Sequence, residues 1–274
     1  MDAITQYWTK IKALLERIVE TQRESIDAAA REILACWDRG GRVWVIGPGA
    51  HSYIGLEEFC YRGGGIYNVY PMECQVLSMS SSRAHTATMF ERTPGVALAI
   101  FKASGVEPKD CVFIYNQYGI NSVAIESAAV ARAMGVRSIG ITSSEFCKSV
   151  GRDHPARHPS GRNLYELVDV HVNTWMPPGD AQVELAGAST KVAASSTLVG
   201  CFAVNLVVSR TTELALELKK PIRLTVCGNV PGADEHNRKN VLDLGDDLGF
   251  GGRKGHGIAY PTQAAVGKVL EEDK

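Results

Sequence analysis

Apolar residues at Ile11, Leu14, Leu15, Ile18 and Val19 recur at three- and four-residue spacing, and Ile26, Ala29, Ala30, Ile33 and Leu34 continue the series. This is the period of an amphipathic helix. It predicts one long N-terminal helix, or two in tandem, stopped by Gly40–Gly41. The pattern then changes. Arg42–Ile46 is a short β-rich run, followed by Gly47-Pro-Gly-Ala-His-Ser52 and a helical stretch to about Arg62 that Gly63–Gly65 closes. The same alternation follows in Cys111–Tyr115 (strand), Asn116–Asn121 (polar loop) and Ser122–Met134 (helix), the last closed by Gly135. Ser138–Thr142 and Val168–Val172 read as further strands, 195–218 as a long helix, and Arg223–Cys227 as a last strand.

Strands alternating with helices imply βαβ units, hence an α/β domain with a parallel sheet covered on both faces. The nearly unbroken apolar strands agree with burial on both sides. With no Ser/Gly linker and no internal repeat, one domain is expected over 1–250, including the helical segment 1–40. A Gly-rich C-terminal extension is expected over 251–274, with Gly249–Gly257 mobile.

Composition narrows the partners. The 274 residues are 45% hydrophobic and carry 29 Lys+Arg against 30 Asp+Glu, a net charge of -1. Phosphate-driven binding needs a basic excess, so no nucleic-acid partner is expected. The seven cysteines are scattered and form no CxxC, which points to free thiols in a reduced, cytoplasmic setting. The N-terminus has no signal-peptide pattern, and the apolar stretch Leu198–Val208 is too short to span a bilayer, so no membrane partner is expected either.

In an open parallel sheet, ligands bind at the carboxyl ends of the strands. That rule selects loops 47–52, 116–121, 173–197 and 228–237. Loop 47–52 is neither GxGxxG nor a Walker A sequence, since position 52 is Ser. Taken singly, Ser52, Ser196 and Thr197 are equally helix caps, and Asn116–Asn121 is equally an Asn/Gly turn. Hydroxyl- or amide-bearing loops recurring at one sheet edge point instead to a pocket for a polyol and an anion. Of the adjacent pair Glu57 and Glu58, about 100° apart on a helix, only one can face such a pocket, and Glu58 is the inward choice. The histidines form no HExxH, and Pro155 and Pro159 deny His154 and His158 a common helix face. His51, His85 and His236 remain as candidates beside the pocket. The basic segment 148–162 is either solvated or closes over an anionic substrate.

These residues together resemble the SIS (sugar isomerase) domain family, in its single-domain phosphoheptose-isomerase-like branch. The resemblance runs from about residue 5 to 250. It rests on GPGAHS leading into EEFCYRGGG, on NQYGIN before IESAAVARAMG and SIGITSS, and on RHPSGRNLYELVDV, PPGDA, SSTLVG and GNVPGADEHN. It implies a three-layer αβα sandwich on a five-stranded parallel sheet, assembly as a homodimer or homotetramer, and a sugar-derivative ligand. The family's second loop usually reads Ser-x-Ser-Gly-x-[Ser/Thr/Asn]. Here Asn116, Gln117, Tyr118 and Asn121 stand in it without the serines, which opens the choice to phosphorylated, sulfonated or unphosphorylated sugars.

The activity implied is aldose–ketose isomerisation through an enediol, with Glu58 as the base and His236, then His85, as the ring-opening acid. His51, Ser52, His85, Asn116, Gln117, Tyr118, Asn121, Ser196 and Thr197 would hold the substrate. Some relatives place a metal-binding His one turn before the glutamate. Position 54 is Ile, so neither metal nor cofactor is expected. A sugar-sensing module without turnover, and an etherase acting on a sugar phosphate, are the alternatives.

Overall fold

A computed structural model describes residues 1–60, 62–80, 83–239 and 259–272. The expected Gly249–Gly257 segment therefore lies outside the described residues. In chain order the elements are α1 (Ala3–Thr21), α2 (Arg23–Asp38), β1 (Val43–Ile46), α3 (Ser52–Phe59), β2 (Val69–Pro71), α4 (Ala84–Glu91), α5 (Val96–Ser104) and β3 (Cys111–Tyr115). They continue with α6 (Ser122–Ala133), β4 (Arg137–Thr142), α7 (Ser144–Ser149), α8 (Leu164–Leu167), β5 (Val170–Asn173), β6 (Ala181–Val183) and β7 (Val192–Ala194). The last three are α9 (Ser196–Glu217), α10 (Ala233–Asn237) and α11 (Gln263–Glu271).

The main sheet has the order β2-β1-β3-β4-β5, and every pairing is parallel. Alternate strand residues feed two cores. Trp44, Ile46, Val112 and Ile114 pack with α5, α6 and α11 on one face. Val43, Val45, Phe113, Ile139 and Ile141 pack with α2, α3 and α9 on the other. This is the expected three-layer sandwich, and two-sided burial is why its strands show no polar alternation. Asp110, fully buried, locks the start of the sheet by accepting from Arg42 N (2.8 Å) and Trp44 Nε1 (2.9 Å).

The tandem-helix reading of the N-terminus holds, with the break at Gln22. The fifth strand does not. Residues 223–227 make only an antiparallel bridge, Leu224 to Ile66, beside the Gly63–Gly65 turn, and β2 fills the edge place next to β1. β2 was hidden because Pro71 and the left-handed Asn68 (φ 71°) break a strand pattern, and an edge strand tolerates both. In the segment expected as an extension, α11 packs on α6 and buries Val266, Val269 and Leu270. The 22-residue α9 has the length and apolar composition of a membrane span, yet it is a core helix here, with Val199, Ala203, Val204 and Val207 buried.

Within the domain, α1 braces the antiparallel β6–β7 hairpin. Tyr7 Oη donates to the Ala194 carbonyl (2.7 Å), Lys10 Nζ to that of Gln182 (2.5 Å), and Glu184 N to Gln6 Oε1 (2.7 Å).

Candidate functional site

The strand order reverses at β1 and β3, whose following loops run to opposite sides and leave a crevice between them. Loops 47–52 and 116–121 form its walls, and the head of α9 crosses above. Asn116 ties the walls together: its Nδ2 donates to Ser52 Oγ (3.0 Å) and its Oδ1 accepts from Gly119 N (2.6 Å). Ser52 is thus engaged across the crevice and is not the cap of α3; that position belongs to His51, which makes no side-chain cap bond. Gln117 Oε1 accepts from Thr174 Oγ1 (2.6 Å).

His51, Ser52, Gln117, Tyr118, Ser196 and Thr197 line one small cavity of about 10 Å³, together with Tyr115. Three loops distant in sequence therefore converge on it. Tyr118 and Asn121 also line an adjoining crevice of about 390 Å³, shared with Glu91, Arg92, His154 and Asp180. Glu58 stands on α3 facing α9, its side chain 21% exposed, while Glu57 is exposed. Glu58 Oε1 accepts from Asn205 Nδ2 (3.0 Å), and its Oε2 lies 3.2 Å from Arg62 Nε.

Two expected histidines lie elsewhere. His85 is exposed on the first turn of α4 and lines neither cavity. His236 sits on the short α10 with Nε2 3.0 Å from the Leu224 carbonyl. The premise that placed it, a sheet strand at 223–227, fails. The basic segment turns largely on itself. Arg157 donates to the carbonyls of Val150 and Gly151 and to Asn163 Oδ1, and Arg162 donates to the Glu272 carbonyl and pairs with Glu166. Among the described residues, no group of three His, Cys, Asp or Glu side chains converges as a metal site.

The structure adds three residues. Glu91 ends α4 with its Oε2 only 2.3 Å from where a Cβ on Gly49 would stand, so Gly49 is what lets the carboxylate reach the first loop. Burial pushes its pKa up to about 7, against the opposing pull of Arg92 and of the Ala50 amide it accepts from. Asp180 caps α9: its Oδ1 accepts from Ser195 N (2.9 Å) and Ser196 N (2.7 Å), and its Oδ2 from Ser196 Oγ (2.9 Å) and Tyr118 Oη (3.3 Å). Tyr115, 2% exposed, ends β3 beneath the small cavity, and burial holds its phenol pKa well above the ordinary value. Sequence signals for these were faint. Glu91 ends a helix with no clear period, Asp180 lies in PPGDA, and Tyr115 closes an apolar strand run.

Fold and crevice together define a doubly wound α/β protein with a strand-end pocket of hydroxyls and amides, walled by carboxylates. The SIS domain sequence model matches residues 6–143, and the chain belongs to the SIS domain family. The UPF0309 protein of Geobacillus kaustophilus is 35% identical over 240 residues, covering 87% of this chain and 92% of that protein. The UPF0309 protein of Geobacillus thermodenitrificans is 34% identical over 238 residues, covering 86% and 92%. Among solved structures, phosphoheptose isomerase from Neisseria gonorrhoeae superposes with a TM-score of 0.52 at 11% identity, over 78% of this chain and 97% of that one. Phosphoheptose isomerase from Francisella tularensis gives 0.50 at 12% identity, over 77% and 96%. At that identity the likeness is one of fold.

Proposed function

We propose that the protein is an aldose–ketose isomerase acting on a sugar, with Glu58 moving the proton between C1 and C2 through an enediol. The observation that carries this reading is the convergence of Ser52, Gln117, Tyr118, Ser196 and Thr197 from three separate loops on one cavity. Such a set of hydroxyls and amides is what a polyol needs. Glu58 suits the base because it is half-buried and held from two sides by Asn205 and Arg62. Opening the sugar ring needs an acid that holds its proton near neutral pH. Glu91, with a pKa of about 7 at the rim of the crevice, fits that task better than His236 or His85.

Glu58→Gln should bind sugar normally and stop exchanging the C2 proton with deuterated solvent. Unchanged exchange in the variant, or no exchange in the wild type with any sugar bound, defeats the reading. Sensing of a sugar without turnover is the second reading, and the position of Glu58 favours it, since Glu58 lines neither cavity and both its oxygens are engaged by Asn205 and Arg62. Assembly as a homodimer or homotetramer belongs to the same proposal. The strongly exposed Ile4 and Trp8 on α1 support it, and a monomer by light scattering at micromolar concentration contradicts it.

A further inference from the structure

Asp180 occupies the place at the head of α9 where a helix of this length would draw an anion from solution. The amides of Ser195 and Ser196, the Ser196 hydroxyl and the Tyr118 phenol already point at its carboxylate. The position is built into the fold. Asp180 has φ 59°, and the β6–β7 hairpin that follows it is tied to α1 through Lys10 and Tyr7.

Below it, the small cavity keeps two unsatisfied buried groups. Tyr115 Oη and Gln117 Nε2, whose residues are 2% and 3% exposed, lie within reach of each other, and the phenol within reach of the Cys201 thiol, yet neither makes a hydrogen bond of good geometry. Both crowd the same point. A Cβ on Gly200 would stand 2.0 Å from the phenol oxygen and 2.5 Å from the amide nitrogen. Buried polar groups left this way call for a partner. A volume of about 10 Å³ admits one water-sized group, and a tetrahedral phosphoryl group needs several times that space. A hydroxyl fits the chemistry as well as the size, because it can accept from the Gln117 amide and exchange a hydrogen bond with the phenol.

We propose that Asp180 closes the head of α9 to phosphate and that the cavity beneath receives a sugar hydroxyl, so the sugar enters unphosphorylated at that end. This rests on the sugar-binding function proposed above and specifies its substrate class. A phosphate brought there would face the Asp180 carboxylate at close range, and loop 116–121 offers no compensating serines. Of that loop's donors, Asn116 Nδ2 and Gly119 N are already spent on Ser52 Oγ and Asn116 Oδ1, and Gln117 Nε2 faces the small cavity.

The test has two arms. Inorganic phosphate is titrated calorimetrically into the wild type, Asp180→Asn and Asp180→Gly; both substitutes tolerate the left-handed backbone at this position. The wild type should show no binding up to about 10 mM phosphate, and both variants should bind at least about tenfold more tightly than that limit. Phosphate binding by the wild type, or no gain in variants whose circular dichroism is unchanged, overturns the proposal. In the second arm, melting temperature is followed with glucose and fructose and with their 6-phosphates. The free hexoses should stabilise the wild type more than the 6-phosphates do, and Tyr115→Phe should weaken hexose binding about tenfold. A wild-type preference for the 6-phosphates overturns the proposal. If no sugar binds while the phosphate arm behaves as expected, the sugar reading fails and the exclusion of phosphate by Asp180 stands.

Discussion

Asn205 Nδ2 donates to Glu58 Oε1 at 3.0 Å and so joins α9 to α3. Arg62 Nε on the other oxygen completes the hold. Asn205→Ala should therefore lower kcat of the proposed isomerisation by about tenfold or more and leave KM nearly unchanged, because misplacing the proposed base costs rate and not binding. A rise in KM with unaltered kcat would place Asn205 in substrate binding instead.

Glu91 makes stability depend on pH. Its folded pKa of about 7 lies above the ordinary 4.5, so the folded state holds this proton more tightly than the unfolded chain. Stability should fall as pH rises from about 4.5 to about 7 and level off above. Glu91→Gln removes the effect and should stabilise the protein by about 2 kcal/mol at pH 8, after discounting for partial exposure, with the gain vanishing near pH 4. Urea unfolding of both proteins at the two pH values measures it; equal differences at pH 4 and pH 8 contradict the assignment.

Gly200 is required by what faces it. Gly200→Ala should cost about 1–3 kcal/mol, since the added methyl collides with the Tyr115 oxygen. Tyr115→Phe removes that oxygen, so the double variant should recover part of the loss. A denaturant-unfolding cycle showing strict additivity would count against the contact.

The thiols differ in reach. Cys36, Cys60, Cys111 and Cys147 are buried, and burial pushes their pKa values up, to about 12 for Cys36 and Cys147, whereas Cys227 is exposed. Under native conditions a disulfide reagent should modify Cys227 first, with those four reacting only on unfolding. Mass spectrometry after brief labelling decides it, and early modification of Cys111 would contradict the packing of β3.

Much of the sheet was legible in the chain. β1, β3 and β4 are short apolar runs bounded by Gly or polar loops, and burial on both faces forces that composition wherever it occurs. β2 was not legible, because an edge strand containing Pro71 lacks the pattern. Residues 223–227 had the composition of a strand, but they bridge antiparallel to the segment around Gly64–Tyr67 instead of joining the parallel sheet. In the site, Ser52, Gln117, Ser196 and Thr197 could be named because strand ends are where loops carry polar side chains. Their convergence could only be guessed.

The sequence by itself determined which segments are buried on two faces and hence a parallel α/β fold with its polar loops at one sheet edge. Hydrophobic period and turn residues are local properties, read along the chain. The tertiary structure decided the rest. It put Glu91 against Gly49 and Asp180 at the head of α9, took His236 away from the sheet edge, and left Tyr115 and Gln117 facing a cavity of one hydroxyl's size. Each of these depends on distance and desolvation between residues far apart in the chain, and those quantities exist only once the layers have packed.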